Sequence, residues 1–135
     1  MGDAPFVVFL DADDQLDPAF VATCLHTWTT TSGYIFTDWI RGGQRYAPAA
    51  DTNIFTTGMY HIVTTLLPRK AFEYVKGFDE TLPTLEDEDL YRRIQRAGLC
   101  AYPVHEPLVE YRMHDGHSAA VRDTYMAQVE AFFNK

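Results

Sequence analysis

A chain of 135 residues with 47% hydrophobic, 14% aromatic and 22% charged side chains is long enough to bury one core, and a single domain spanning 1–135 is expected. Its net charge of −8 argues against a nucleic-acid backbone as partner, which calls for a basic face, and admits an anionic ligand only if a divalent cation mediates. The longest apolar run, residues 6–10, is far short of the roughly 20 residues of a membrane-spanning helix, and no charged-then-apolar leader opens the sequence, so a soluble, cytoplasmic protein is expected.

Residues 6–10, FVVFL, are rich in β-branched and aromatic side chains and read as a strand buried on both faces. Four aspartates follow within seven positions: Asp11, Asp13, Asp14 and Asp17. Asp17-Pro18 reads as a helix cap followed by a first-position proline, and Val21, Leu25 and Trp28 give an inward stripe to a helix ending near Thr29. Residues 34–40 read as a second strand. Residues 41–58, with Gly42-Gly43, Pro48 and Gly58, read as a long irregular loop. Residues 60–67 look like a strand, and 68–75 a short helix stopped by Gly77. A further helix is expected from an N-cap at Thr84, with Leu90, Ile94 and Ala97 inward and Gly98 closing it. Short strands at 100–104 and 108–111, a turn RMHDGHS and a last helix at 118–133 complete the chain. Strands alternating with helices predict an α/β fold: a mixed β-sheet with flanking helices. Cys24 and Cys100 lack CxxC spacing, lie among apolar neighbours, and are expected as buried thiols.

Three stretches carry chemistry. Asp11 and Asp13 form a D-x-D at the carboxyl end of a buried strand, where ligands of open α/β sheets bind. Carboxylates this close cannot all ionise without a cation or raised pKa values, and hard oxygen donors suit Mg²⁺ or Mn²⁺, which keep water and phosphate as remaining ligands. Asp17 is accounted for as a cap, and Asp14 fits either role. The second stretch is Glu86-Asp87-Glu88-Asp89, four acids opening a helix. Thr84 with Asp87 matches a capping box, acids favour a helix N-terminus, and Asp89 with Arg93 has ion-pair spacing. Four acids exceed what capping requires, and a carboxylate on a helix end facing a metal–phosphate site is placed to act as a general base. The third is the turn with His114 and His117, where a histidine could complete a carboxylate metal site. His26, His61 and His105 lack partners at ligand spacing and read as structural. No GxGxxG, P-loop or GxSxG occurs.

Taken together, FVVFLDADDQLDPAFV, TTLLPRKAFEYVKGFDETL, LEDEDLYRRIQRAG and YRMHDGHS, in this order over residues 6–118, resemble the strand and D-x-D, the GgFDE segment, the ED-helix and the R-x-H turn of the inverting family 2 glycosyltransferases of GT-A type. The resemblance implies a partial GT-A (nucleotide-diphospho-sugar transferase) fold. It implies that Asp11 and Asp13 grip a Mn²⁺ or Mg²⁺ on the donor diphosphate, with His114 a third metal ligand as in some members. It makes Asp87 the base that deprotonates the acceptor hydroxyl and places Glu86 near the acceptor sugar. Asp14, Asp89 and Arg93 join as substrate-binding or loop-supporting residues. Partners are then a nucleotide-sugar donor and a saccharide or other hydroxyl acceptor. The 41–58 loop, with Trp39, Arg41 and Arg45, is a candidate for closing over the donor. Family members carry roughly a hundred further residues before the D-x-D strand, so the chain is expected to represent the C-terminal, metal and acceptor half, to hold a donor weakly, to be inactive alone, and to leave an open sheet edge favouring a homodimer. Two rivals stand beside this reading. One is a haloacid-dehalogenase-like phosphatase, with Asp11 as nucleophile and Asp13 as its acid/base partner, although Asp14-Gln15 stands where Gly-Thr is usual. The other is a non-catalytic remnant acting as a binding module.

Overall fold

The structure, a computed structural model, describes residues 3–49 and 52–112. The expected last helix and the turn holding His114 and His117 lie outside them. The elements run β1 (Phe6–Val7), β2 (Gln15–Leu16), α1 (Phe20–Thr31), β3 (Tyr34–Arg41), β4 (Gln44–Tyr46), α2 (Ile54–Thr57), β5 (Thr65–Pro68), α3 (Arg69–Tyr74), α4 (Glu86–Arg96) and β6 (Ala101–Tyr111). The sheet order is β1-β5-β3-β6-β2, with β4 pairing β3 as well. Among the described residues only β3 and β6 pair in parallel; the other pairings are antiparallel. The expected α/β class, a mixed sheet with flanking helices, is what these residues form.

The period-two alternation of the strands divides the core between two faces. Val7, Tyr34 and Leu67 point to the side carrying α2, α3 and α4, where Ile54, Phe72, Leu90, Tyr91 and Ile94 are buried with them. Ile35, Leu66, Val104 and Val109 point to the opposite side, against Phe20 and Cys24 of α1. The first apolar run does feed both layers: Phe9 joins the α3–α4 side, while Phe6 and Val8 join the α1 side. Its hydrogen-bonded ladder stops at Val7, however, and among the described residues β1 pairs with β5 alone, so it is an edge strand and Leu10 is exposed. The run's length reflects packing on two layers, not the length of a ladder.

Several boundaries shift for identifiable reasons. Asp17 does accept a hydrogen bond, from the Ala19 N–H at 2.8 Å, but residues 18–19 form a turn and α1 begins at Phe20. The buried face of α1 is therefore Phe20 and Cys24, and Val21 is exposed. Within 41–58 the Gly42-Gly43 pair, both at positive φ, turns β3 back into β4, and Asn53 caps the short α2 by accepting from the Phe55 N–H at 2.9 Å. Of the expected 60–67 strand only residues 65–67 join the sheet, in β5, which runs on to Pro68. The two expected strands near the end are one, β6, whose break at His105-Glu106 is a register irregularity against β3. Tyr91, not Ala97, completes the inward stripe of α4. Cys24 is buried, and burial, with Glu106 adding, pushes its thiol up to about 12. Cys100 is exposed instead, and both are free. No helix of the described residues is long and apolar enough to cross a membrane.

One glycine is fixed by close approach. A Cβ on Gly33 would lie 2.2 Å from the Cys100 carbonyl oxygen and 2.6 Å from the Tyr102 ring, where the Tyr34 N–H bonds that same carbonyl at 3.0 Å and starts the β3–β6 pairing. Gly33→Ala is expected to destabilise the fold by about 1–3 kcal/mol through overpacking, read as a lowered urea midpoint.

Candidate active site

The aspartate cluster beyond β1 separates into parts with different work. Residues 11–14 form a turn closed by the Asp14 N–H donating to the Asp11 carbonyl at 3.0 Å. Asp11 and Asp13 are exposed on it, whereas Asp14 is buried. The Asp14 Oδ1 accepts the Arg112 N–H at 3.1 Å, just past the end of β6, and the chain then pairs Gln15 with Glu110. Asp14 thus ties the turn to β6, leaving Asp11 and Asp13 directed outward.

The second acidic stretch comes from α4. The expected Thr84 cap does not form: Leu85 holds the N-cap position with its side chain buried and φ of 61°, a left-handed conformation uncommon for a non-glycine residue. The bend delivers Glu86 and Asp87 at the start of the helix, and strain of this kind persists where surrounding packing over-determines it. The Asp87 Oδ1 accepts the Glu88 N–H at 2.8 Å, serving one of the first-turn donors that a cap would have served. Partial burial raises the Asp87 pKa above the usual carboxylate range; the Glu88 N–H opposes the shift, and the Glu86 and Asp11 carboxylates add to it. Glu88 turns inward, accepting the Met59 N–H and so fastening the segment after α2 to α4. Asp89 pairs with Arg93 at 2.9 Å, and Arg93 donates to the carbonyls of Val75 at 2.6 Å and Gly77 at 2.7 Å. Those bonds clamp the carboxyl end of α3 to α4, the loop-supporting part of the expectation for this pair.

These two acidic elements meet. An open cleft of about 570 Å³ is lined by Asp11 of the turn, by Glu86 and Asp87 of α4, and by the apolar Val8, Phe9, Leu10, Val63 and Phe78. Phe9 stacks edge-on against Phe78 at 4.9 Å between ring centroids, fixing that apolar wall. Asp13 stands on the same turn but outside the cleft lining. At the end of β6, outside the cleft lining, Tyr111 lies beside Arg41 in the β3–β6 register, and the Arg41 guanidinium carbon is 5.5 Å from the Tyr111 ring centroid. Burial, then the Asp14 carboxylate, pushes the Tyr111 phenol up; Arg41 pulls it down, and Asp11 and Asp87 add smaller upward pushes. Tyr111 therefore shares its electrostatic surroundings with both acidic elements. Among the described residues no group of three or more His, Cys, Asp or Glu side chains is gathered as a ready metal cage. The donor chemistry present, two exposed carboxylates on one turn, suits a cation that takes its remaining ligands from water and phosphate.

Tyr111, the apolar wall and the strained Leu85 were not found from the sequence. Tyr111 and Arg41 meet only through strand register, which no local spacing encodes. Asp38 was missed as well, although an acid inside a buried strand is itself a signal. It is fully buried, with Arg45 at 2.7 Å and His105 at 3.2 Å as partners.

No protein-family model matches the chain, and no curated protein matches it in sequence. Solved structures do. The chain resembles a segment of S. aureus TarS. Against TarS 1–349 in complex with UDP, the TM-score is 0.67 at 12% sequence identity, covering 83% of this chain and 37% of that one. Against a longer TarS structure it is 0.66 at 12% identity, covering 83% of this chain and 22% of that one. The likeness is one of fold, and the chain spans well under half the length of either TarS chain.

Proposed function

We propose that the cleft between the 11–14 turn and α4 is the metal and acceptor side of an inverting glycosyltransferase site, moving a sugar from a nucleoside-diphosphate donor to an acceptor hydroxyl. The observation that carries this reading is the meeting of Asp11 with Asp87 in the lining of one cleft. It is supported by the four sequence motifs and by a fold shared with TarS, one of whose structures holds UDP.

In this reading Asp11 and Asp13 would hold a Mn²⁺ or Mg²⁺, with His114 as a further ligand, and the bound cation would supply positive charge to a departing nucleoside diphosphate. Asp87 accepts the proton of the acceptor hydroxyl as its oxygen bonds to the anomeric carbon, while the bond from that carbon to the diphosphate oxygen breaks and the configuration inverts. The partial burial that raises the Asp87 pKa makes it a stronger base than an ordinary aspartate. Glu86, exposed beside it, is within the cleft lining where an acceptor sugar would lie. Asp14, Asp89 and Arg93 act through the backbone they fasten. Donor affinity in this chain is expected to be weak. The phosphatase alternative gains no support from a D-x-D strand that pairs antiparallel at a sheet edge.

The test is to present Mn²⁺ with UDP-sugars and, separately, a phosphomonoester. Metal-dependent release of UDP with an inverted product anomer supports the proposal. Phosphomonoester turnover abolished by Asp11→Asn would establish the phosphatase instead, and metal-dependent UDP binding without turnover is the result expected of the chain alone.

A further inference from the structure

We propose that Arg41, held over the ring of Tyr111, is the side chain that recognises the diphosphate oxygens at this site. The inference rests on the glycosyltransferase reading above and goes beyond it, because Arg41 lies in none of the four motifs. Three residues of the β3–β4 region were candidates for closing over a donor, and the structure separates them. Trp39 stacks on Tyr46 at 5.6 Å between centroids, which stiffens the hairpin. Arg45 is spent on the buried Asp38, at 2.7 Å, and on the His105 carbonyl, at 2.9 Å. Arg41 remains: it is the last residue of β3, its side chain is exposed, and among the described residues it forms no ion pair.

The strand register puts Arg41 beside Tyr111, and the neighbouring Arg112 N–H binds the Asp14 carboxylate of the 11–14 turn. Arg41 thus stands where β6 is tied to the 11–14 turn, and the charged side chains lining the neighbouring cleft, Asp11, Glu86 and Asp87, are acids. A diphosphate entering such a site is repelled by the carboxylates, and a guanidinium fork matches pairs of phosphate oxygens in a way a lysine does not. The aromatic face beneath it limits the orientations the fork must give up on binding.

Pyrophosphate with Mg²⁺, followed by amide NMR shifts of the chain, probes the diphosphate subsite without the nucleoside. Arg41→Gln is expected to weaken Mg²⁺-pyrophosphate binding about tenfold or more, with Arg41→Lys recovering part of the loss. Mg²⁺ alone should bind Arg41→Gln as well as it binds the wild type, or better, since a nearby positive charge has gone. Equal pyrophosphate binding by wild type and Arg41→Gln overturns this assignment alone, as does a parallel loss of Mg²⁺ binding. A wild-type chain that binds no pyrophosphate in the presence of Mg²⁺ overturns the glycosyltransferase reading itself, and the role of Arg41 with it.

Discussion

In any preparation that transfers sugar, Asp87→Asn is expected to lower the rate by about 10²–10⁴-fold, the usual contribution of a positioned general base, while raising the melting temperature of the protein. The two effects have one origin. Partial burial and the neighbouring Glu86 and Asp11 carboxylates raise the folded pKa of Asp87 above its unfolded value. Between those two values the folded state binds the proton more tightly, so stability falls as pH rises through the window, and at neutral pH the ionised carboxylate is a liability. Asparagine removes the charge, and its carbonyl can keep the 2.8 Å bond from the Glu88 N–H. For wild-type transfer the acid limb follows from the same shift: the rate falls as pH drops through a value above the ordinary aspartate range, because only the ionised form accepts the proton. Thermal melts and pH–rate profiles of the two proteins check both halves. A variant that lost activity and stability together would show Asp87 to be a structural residue.

The second large effect concerns acid stability and begins at His61. The ring is buried, stacked on Phe36 at 5.1 Å and meeting Tyr91 edge-on at 4.7 Å. Its Nδ1 lies 2.8 Å from the Ile62 carbonyl, which can only accept, so Nδ1 carries the proton and Nε2 accepts from the Tyr34 hydroxyl at 2.8 Å. Gln95 of α4 donates to that hydroxyl, also at 2.8 Å. Protonating Nε2 would leave the Tyr34 hydrogen without its acceptor and put a charge in the core. Burial accordingly pushes the His61 pKa down from 6.5 to about 4, with the Ile62 carbonyl opposing. Because the folded value lies below the unfolded one, the unfolded chain binds more protons in this window. The contribution is complete above pH 6.5 and is lost as pH falls toward 4, amounting to about 3 kcal/mol. Urea unfolding at pH 7, 5.5 and 4 should show this slope, and His61→Gln should flatten it. An equal slope in the variant would assign the acid sensitivity to other groups. Tyr91, in the same cluster, donates to the Val63 carbonyl at 2.7 Å, and Val63 lines the cleft, so acid is expected to loosen the site wall along with the core.

How much of this was legible in the sequence depends on how local the cause is. The turn of aspartates, the acidic start of α4 and the glycine stop at Gly98 are short-range patterns, and each has a counterpart in the structure. The mixed sheet followed from the alternation of apolar runs with amphipathic ones. Strand pairing did not follow, because FVVFL looks the same whether it is central or at an edge, and its edge position is set by where β5 and β3 lie. The capping box at Thr84 failed for a related reason: burying the Leu85 side chain and bending the backbone there won over a local side-chain cap. The meeting of Asp11 with Asp87 was reachable only through the family resemblance, and the addition of Tyr111 and Arg41 only through β3–β6 register.

The central claim, that the 11–14 turn and α4 bound a metal-dependent nucleotide-sugar site, is tested most directly by calorimetric titration of UDP into the chain with and without Mn²⁺. Weak binding that requires Mn²⁺ and disappears in Asp11→Asn and Asp13→Asn is the predicted result. UDP binding indifferent to the metal and to both substitutions would contradict it.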